Sequence, residues 1–290
     1  MTNSTSGGLR GFARRRPITL YLLIVFGLGY PLMLLPIAAS KGIIPGASLP
    51  ARVGLDFERA SALLMVILAL FPAALVVSAL DGGRPAVRAL LRRMVAWKVG
   101  AANWAIVLLA LPAGTVAIAL LLGDQFRPPT LTALAAELGG FLAGFLAVNL
   151  WEEASWAGFM QTRLEERHNL YVAAALTAVP FAGIHMPLQL LNGWPGLGQL
   201  LAAFALLTVL ATVVRAYFGL VMRRTGGSLL AVGVAHTIFN RSNNTDGIAA
   251  KLLEGEHRQL AALLATLLLT IALGLWQRRL RPMSHERQPG

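Results

Sequence analysis

Residues 17–40, 101–123, 169–192 and 193–214 each run for more than twenty positions without Asp, Glu, Lys or Arg. A bilayer core of ~30 Å needs about 20 apolar helical residues to cross it. Runs this long are neither the 3.6-period stripes of soluble helices nor alternating strands. Reading apolar stretches between charged or Gly/Pro-rich breaks predicts eight helices, at 17–39, 61–80, 102–123, 134–160, 170–190, 197–221, 227–242 and 258–277. The seventh of these is the poorest in apolar residues. The expected fold is all-α, a polytopic transmembrane bundle of about eight spans.

Composition agrees with this pattern: 56% of the 290 residues are hydrophobic and 13% are charged, against about 25% charged in soluble domains. A soluble enzyme, a disordered chain and a disulfide scaffold are excluded. With no cysteine, thiol catalysis and thiolate metal sites are excluded too. The formal charge of +12 lies in short segments between spans, where topology and anionic headgroups account for it better than nucleic acid does. With the N-terminus inside, the inner segments hold 17 Lys and Arg and the outer ones 7. Both termini are therefore expected in the cytoplasm. Arg281, Arg287 and His285 belong to the basic C-terminal tail.

The chain divides into a basic tail at 1–16, N-terminal spans at 17–133, a chemistry-bearing core at 134–242, and a last span with its tail at 243–290. Arg14, Arg15 and Arg16 before an apolar run, with Ala38, Ala39 and Ser40 after it, look like a secretory signal. That run exceeds the 7–15 residues of a signal core, and it is read as an uncleaved first span. Residues 84–98 form a basic amphipathic stretch. Met186-Pro187 marks the end or a kink of the fifth helix. Trp194 sits in an interfacial turn, and His168 and His257 fall in loops. Gly140 and Gly144 form a small-xxx-small pair that supports close packing.

Nearly every acid lies in a loop or at a helix end, and the exceptions are Glu152 and Glu153 within the fourth span. Ionisable groups at membrane depth are costly and usually face a protein interior or a wet cavity. The alternative is that the helix stops at Trp151 and the glutamates merely flank it, but Ala154 to Met160 continues without a charge. His185 lies in the fifth span four residues after Phe181, and His236 in the seventh four before Asn240, each pair on one helix face. A lone histidine in a membrane helix commonly serves helix–helix hydrogen bonding. Depth raises the value of the set. At ~1.5 Å per residue, Glu152 and His236 lie about 15 Å from the inner helix breaks, Asn240 roughly 21 Å and His185 roughly 24 Å. A buried glutamate can take a proton from water, a histidine can share that water, and a second histidine and a carboxamide can serve an oxyanion. Such a set suits amide hydrolysis with water as nucleophile.

Glu152 to Phe159, Phe181 with His185, and His236 with Asn240, in this order on consecutive apolar segments, resemble the CPBP family of intramembrane glutamic endopeptidases, which includes the CAAX prenyl proteases. The resemblance covers about residues 140–242. It implies Glu152 as general base, His185 as a binder of the water, His236 and Asn240 as oxyanion donors, and Glu153 as a positioning neighbour pointing about 100° away from Glu152. It implies a hydrophobic or lipidated peptide substrate, a lipid environment and a multi-pass location in a bacterial cell membrane, with no cofactor and no nucleic acid. Zinc on two histidines and a glutamate is a lesser alternative, since there is no His-Glu-x-x-His pattern. The family commonly carries Arg just before the glycine of its first motif, where this chain has Ala157. Arg215, inside the sixth span, either takes over that pairing or snorkels to the interface. A non-enzymatic transporter, immunity or scaffold protein is the rival class.

Overall fold

The computed structural model describes residues 8–52 and 54–279; of the basic tail, Arg281, His285 and Arg287 lie outside the described residues. A short helix, α1 (Leu9–Arg15), precedes α2 (Pro17–Ser40), α3 (Phe57–Met94), α4 (Ala101–Leu121), α5 (Leu131–Glu165), α6 (Leu170–Leu190), α7 (Leu197–Arg224), α8 (Leu229–Asn243) and α9 (Arg258–Arg279). All but α1 and α8 are long and apolar enough to cross a membrane, which gives seven such helices. The protein is an integral multi-pass membrane protein. The departure from all-α is a two-residue ladder pairing Gln125 with Glu254 and Phe126 with Leu253.

Local chemistry sets the ends and breaks of three of these helices. The second span begins at Phe57 because Asp56 caps it, its Oδ1 accepting from Arg59 N at 2.6 Å. It carries on through the basic stretch to Met94, with a break at Gly83, whose φ of +66° only glycine adopts cheaply. α5 continues past Trp151 to Glu165, so Glu152 and Glu153 lie within the helix and do not flank its end. In α6 the α-helix stops at His185 and a 3₁₀ turn, Met186–Leu190, follows, where Pro187 withholds a backbone donor.

The predicted seventh span is α8, and its 15 residues reach only about 22 Å. It packs on α3, α4, α5, α7 and α9. Protein rather than lipid surrounds it, so it need not match the bilayer thickness. Small residues let it in: a Cβ on Gly233 would stand 3.1 Å from Leu150 Cα and 3.3 Å from the Phe145 ring, and one on Gly140 would stand 3.0 Å from the Arg241 guanidinium. Gly233→Val is therefore expected to push α8 off α5 and cost about 1–3 kcal/mol, read as a lower thermal midpoint in detergent, with Gly233→Ala falling between it and wild type.

Charged ties fix the ends. At one end Arg163 meets Asp81 at 3.1 Å, Arg223 meets Glu165 at 2.6 Å and Arg93 donates to Gly227 O at 2.8 Å. At the other, Arg241 forks onto Glu137 (2.9 and 2.8 Å), Lys251 joins the same carboxylate at 2.7 Å, and Asp246 bridges Arg241 to Arg59. Burial opposes ionisation of Asp246. The hydrogen bond from Arg241 and the charges of Arg241 and Arg59 prevail, and hold its carboxyl below the usual range. His257 contacts Asp124 at 2.9 Å at this same end.

Candidate active site

The polar centre lies where α5, α7 and α8 meet. Two π-helical turns, Phe145–Asn149 and Trp156–Gln161, bracket the α-helical Leu150–Ser155 that carries both glutamates. Such turns recur at functional sites, although α3 and α4 contain one each as well. Glu153 is fully buried, and its Oε1 accepts from Arg215 Nη2 and from His236 Nδ1, the latter at 2.8 Å. His236 Nδ1 also stands 3.8 Å from Glu152 Oε2. The two carboxylates diverge on their helix, and both reach one imidazole because His236 occupies the angle between them.

Arg215 is 1% exposed and pairs with Glu153. It does not snorkel to the interface. Phe181 and Phe218 flank its guanidinium at 5.3 and 4.9 Å, which holds it inside the bundle by stacking. Ala157, where the family pattern has arginine, is fully buried one turn after Glu153. The positive charge reaches Glu153 from α7.

Glu152 differs from its neighbour. It is 5% exposed, and among the described residues no side chain or backbone group donates a hydrogen bond to its carboxylate. Arg215 and His236 are both committed to Glu153, so Glu152 keeps its oxygens available.

His185 sits at the end of the α-helical part of α6, with its Nδ1 donating to Phe181 O at 2.7 Å and its ring packed at a tilt on Phe181, 4.5 Å between centroids. A carbonyl can only accept, so Nδ1 carries a hydrogen, and in the neutral ring the lone pair is on Nε2. Phe181 in turn packs on Trp156, with ring centroids 5.8 Å apart. His185 is thus joined to the centre through its motif partner. It makes no hydrogen bond with either glutamate or with His236.

Asn240 is held by a residue that the sequence reading missed. Its Nδ2 donates to Asn149 Oδ1 at 3.3 Å, Asn149 Nδ2 donates to Thr237 Oγ1 at 3.0 Å, and Thr237 Oγ1 donates to Gly233 O at 2.9 Å. The last acceptor is a peptide carbonyl, so every donor in the chain is fixed, and Asn240 must present its NH₂ to Asn149. Asn149 is the single polar residue between Glu137 and Glu152, three positions before Glu152 on the same face. That was the available signal.

Several buried polar atoms around the ion pair have no partner among the described residues: Glu153 Oε2, Arg215 Nε and Nη1, Trp156 Nε1 and the Tyr21 hydroxyl. Tyr21, from α2, lies against Trp156 and Phe159 at 5.9 and 4.8 Å between centroids. Among the described residues no three His, Asp or Glu converge to hold a metal ion.

No curated protein matches the chain. Residues 133–242, which contain Asn149, Glu152, Glu153, His185, Arg215, His236 and Asn240, match the family model described as type II CAAX prenyl endopeptidase Rce1-like. That segment is similar to the Rce1-like family, in agreement with the resemblance of its three motifs to the CPBP and CAAX membrane proteases.

Proposed function

We propose that the protein is an intramembrane endopeptidase that hydrolyses a peptide bond in a membrane-associated or lipidated substrate, with water activated by Glu152. The observation that carries the reading is the asymmetry of the two glutamates. Glu153 is held through its Oε1 by Arg215 and His236, an arrangement that locks three helices together. Glu152 contributes nothing to that lock, so packing does not account for a second carboxylate at this depth. The scaffold and transporter readings explain Glu153 and leave Glu152 without a purpose.

In the proposed reaction Glu152 accepts a proton from water as the water oxygen bonds to the scissile carbonyl carbon. The same proton then passes to the amide nitrogen as the carbon–nitrogen bond breaks. Nε2 of His185 is an acceptor suited to orienting that water. The carbonyl oxygen, negative in the tetrahedral intermediate, takes hydrogen bonds from the free N–H of Asn240 and from His236 Nε2. With Nδ1–H given to Glu153, that role for Nε2 requires the doubly protonated ring. Unpaired polar atoms so deep are expensive unless water reaches them, which supports a hydrated centre. No cofactor is required by this scheme. The proposed location is a bacterial cell membrane.

Comparative peptidomics of membranes carrying wild type or Glu152→Gln tests the assignment. Peptides released by wild type alone would identify the substrate, whereas identical peptide sets would return the protein to the scaffold class. Asn149 acts here as a positioning residue. Asn149→Leu leaves Asn240 unoriented and is expected to lower kcat about tenfold with little change in KM. Asn149→Asp, which keeps the acceptor for Asn240 but cannot donate to Thr237, should fall between Leu and wild type.

A further inference from the structure

At the end of the bundle where Arg93, Arg163 and Arg223 lie, a hollow of about 510 Å³ opens between α2, α3 and α5. Its wall carries Arg14, Arg15, Arg16, Arg93, Arg163 and Arg167. Two of these are spoken for. Arg93 donates to Gly227 O and to Gly158 O, at 2.8 and 3.3 Å, and Arg163 holds Asp81 at 3.1 Å while stacking on Phe159. The others have no acidic partner within 4 Å among the described residues. With Asp81 claimed by Arg163, Glu166 is the one carboxylate left on the wall against Arg14, Arg15, Arg16 and Arg167.

Membrane topology asks that basic residues flank the spans and does not ask that they converge. Arg84, Arg88 and Arg92 show the diffuse alternative, exposed along the second half of α3 and outside the hollow. The arginines of the hollow are placed by structure. Gly11 and Ala13 of α1 are buried, α1 packs on α3, and at Arg16 the backbone leaves helical geometry (φ −140°, ψ 57°) before Pro17 starts α2. Three consecutive guanidinium groups are thereby fixed on the rim and not left on a loose tail. Below them the wall turns apolar at Ile18, Leu90 and Leu164.

We infer that this hollow binds the phosphate of an anionic phospholipid headgroup from the adjoining leaflet. Guanidinium forks match phosphate oxygens bidentately. The depth suits a group anchored at the ends of the spans, and the apolar floor suits the glycerol and first acyl carbons. Basic pockets between transmembrane helices take such headgroups. A zwitterionic lipid would bring a cationic amine into a cavity already rich in positive charge.

The test is native mass spectrometry of the purified, delipidated full chain in neutral detergent with phosphatidylglycerol or phosphatidylcholine. Wild type is expected to retain phosphatidylglycerol about tenfold better than phosphatidylcholine. R14Q/R15Q/R16Q should lose that preference, while R84Q/R88Q/R92Q, which removes equal charge from the same end outside the hollow, should stay within about twofold of wild type. Should the first triple variant fail to fold, Arg167→Gln in the loop after α5 carries the test, with a loss of about twofold to fivefold expected. Equal losses in the two triple variants, an unchanged preference in Arg167→Gln, or equal retention of both lipids by wild type would overturn the proposal. Inorganic phosphate distinguishes the sources: full displacement of phosphatidylglycerol by millimolar phosphate would assign the hollow to a soluble anion instead.

Discussion

Glu152→Gln is expected to lower cleavage by about 10²–10⁴-fold while the protein keeps its fold. The carboxamide has the shape of the carboxylate but cannot hold the water's proton, and among the described residues the Glu152 carboxylate makes no hydrogen bond whose loss would unfold anything. The thermal midpoint in detergent should therefore stay close to that of wild type, and the loss should appear in kcat, with substrate still bound. Measured on a farnesylated CAAX-type peptide and on its unmodified counterpart, the same variant separates chemistry from lipid recognition. A Glu152→Gln protein that cleaves at the wild-type rate would remove the general base from the mechanism.

The second large effect falls on stability. Arg215→Met leaves Glu153 as a charge at 0% exposure with only His236 to offset it. Removing one partner of a buried pair costs about 3–5 kcal/mol. Removing both is far milder, because the pair's attraction is largely spent on its own desolvation. Glu153→Met together with Arg215→Met should accordingly recover most of the stability lost in Arg215→Met alone, a coupling that a double-mutant cycle reads directly. Ala157→Arg in the Arg215→Met background is a sharper version. Position 157 lies one turn from Glu153, so an arginine there could return the counter-charge from within α5. No recovery in either double variant would mean that Arg215 supports the centre by packing alone.

The spans could be read from sequence because a bilayer imposes a length that few other environments demand. α8 shows the limit of that signal. Its apolar content is poor and its length short, and only the surrounding helices reveal that it never needs to face lipid. The depth arithmetic placed Glu152 and His236 at one level, and the fold brings them within 3.8 Å. It could not decide the fate of Arg215, since a side chain that long reaches either way from its Cα. Phe181 and Phe218, from helices distant in sequence, settle it. Asn149 escaped notice for the opposite reason. It sits in an otherwise apolar run where a single carboxamide looks incidental, and its partner Asn240 lies 91 residues further along. The lipid hollow gave no sequence signal beyond basic residues near span ends, because convergence of α1, α3 and α5 is a tertiary event.

The enclosure of α8 bears on how the molecule is made. Within 15 residues this helix carries His236, Thr237, Asn240, Arg241 and Ser242, a composition too polar to partition into lipid unaided. It gains shelter only once its neighbours, including the later-synthesised α9, stand around it. The imidazole that holds Glu153 is thus delivered at the close of biogenesis, and a nascent chain carries that carboxylate through the membrane without this partner.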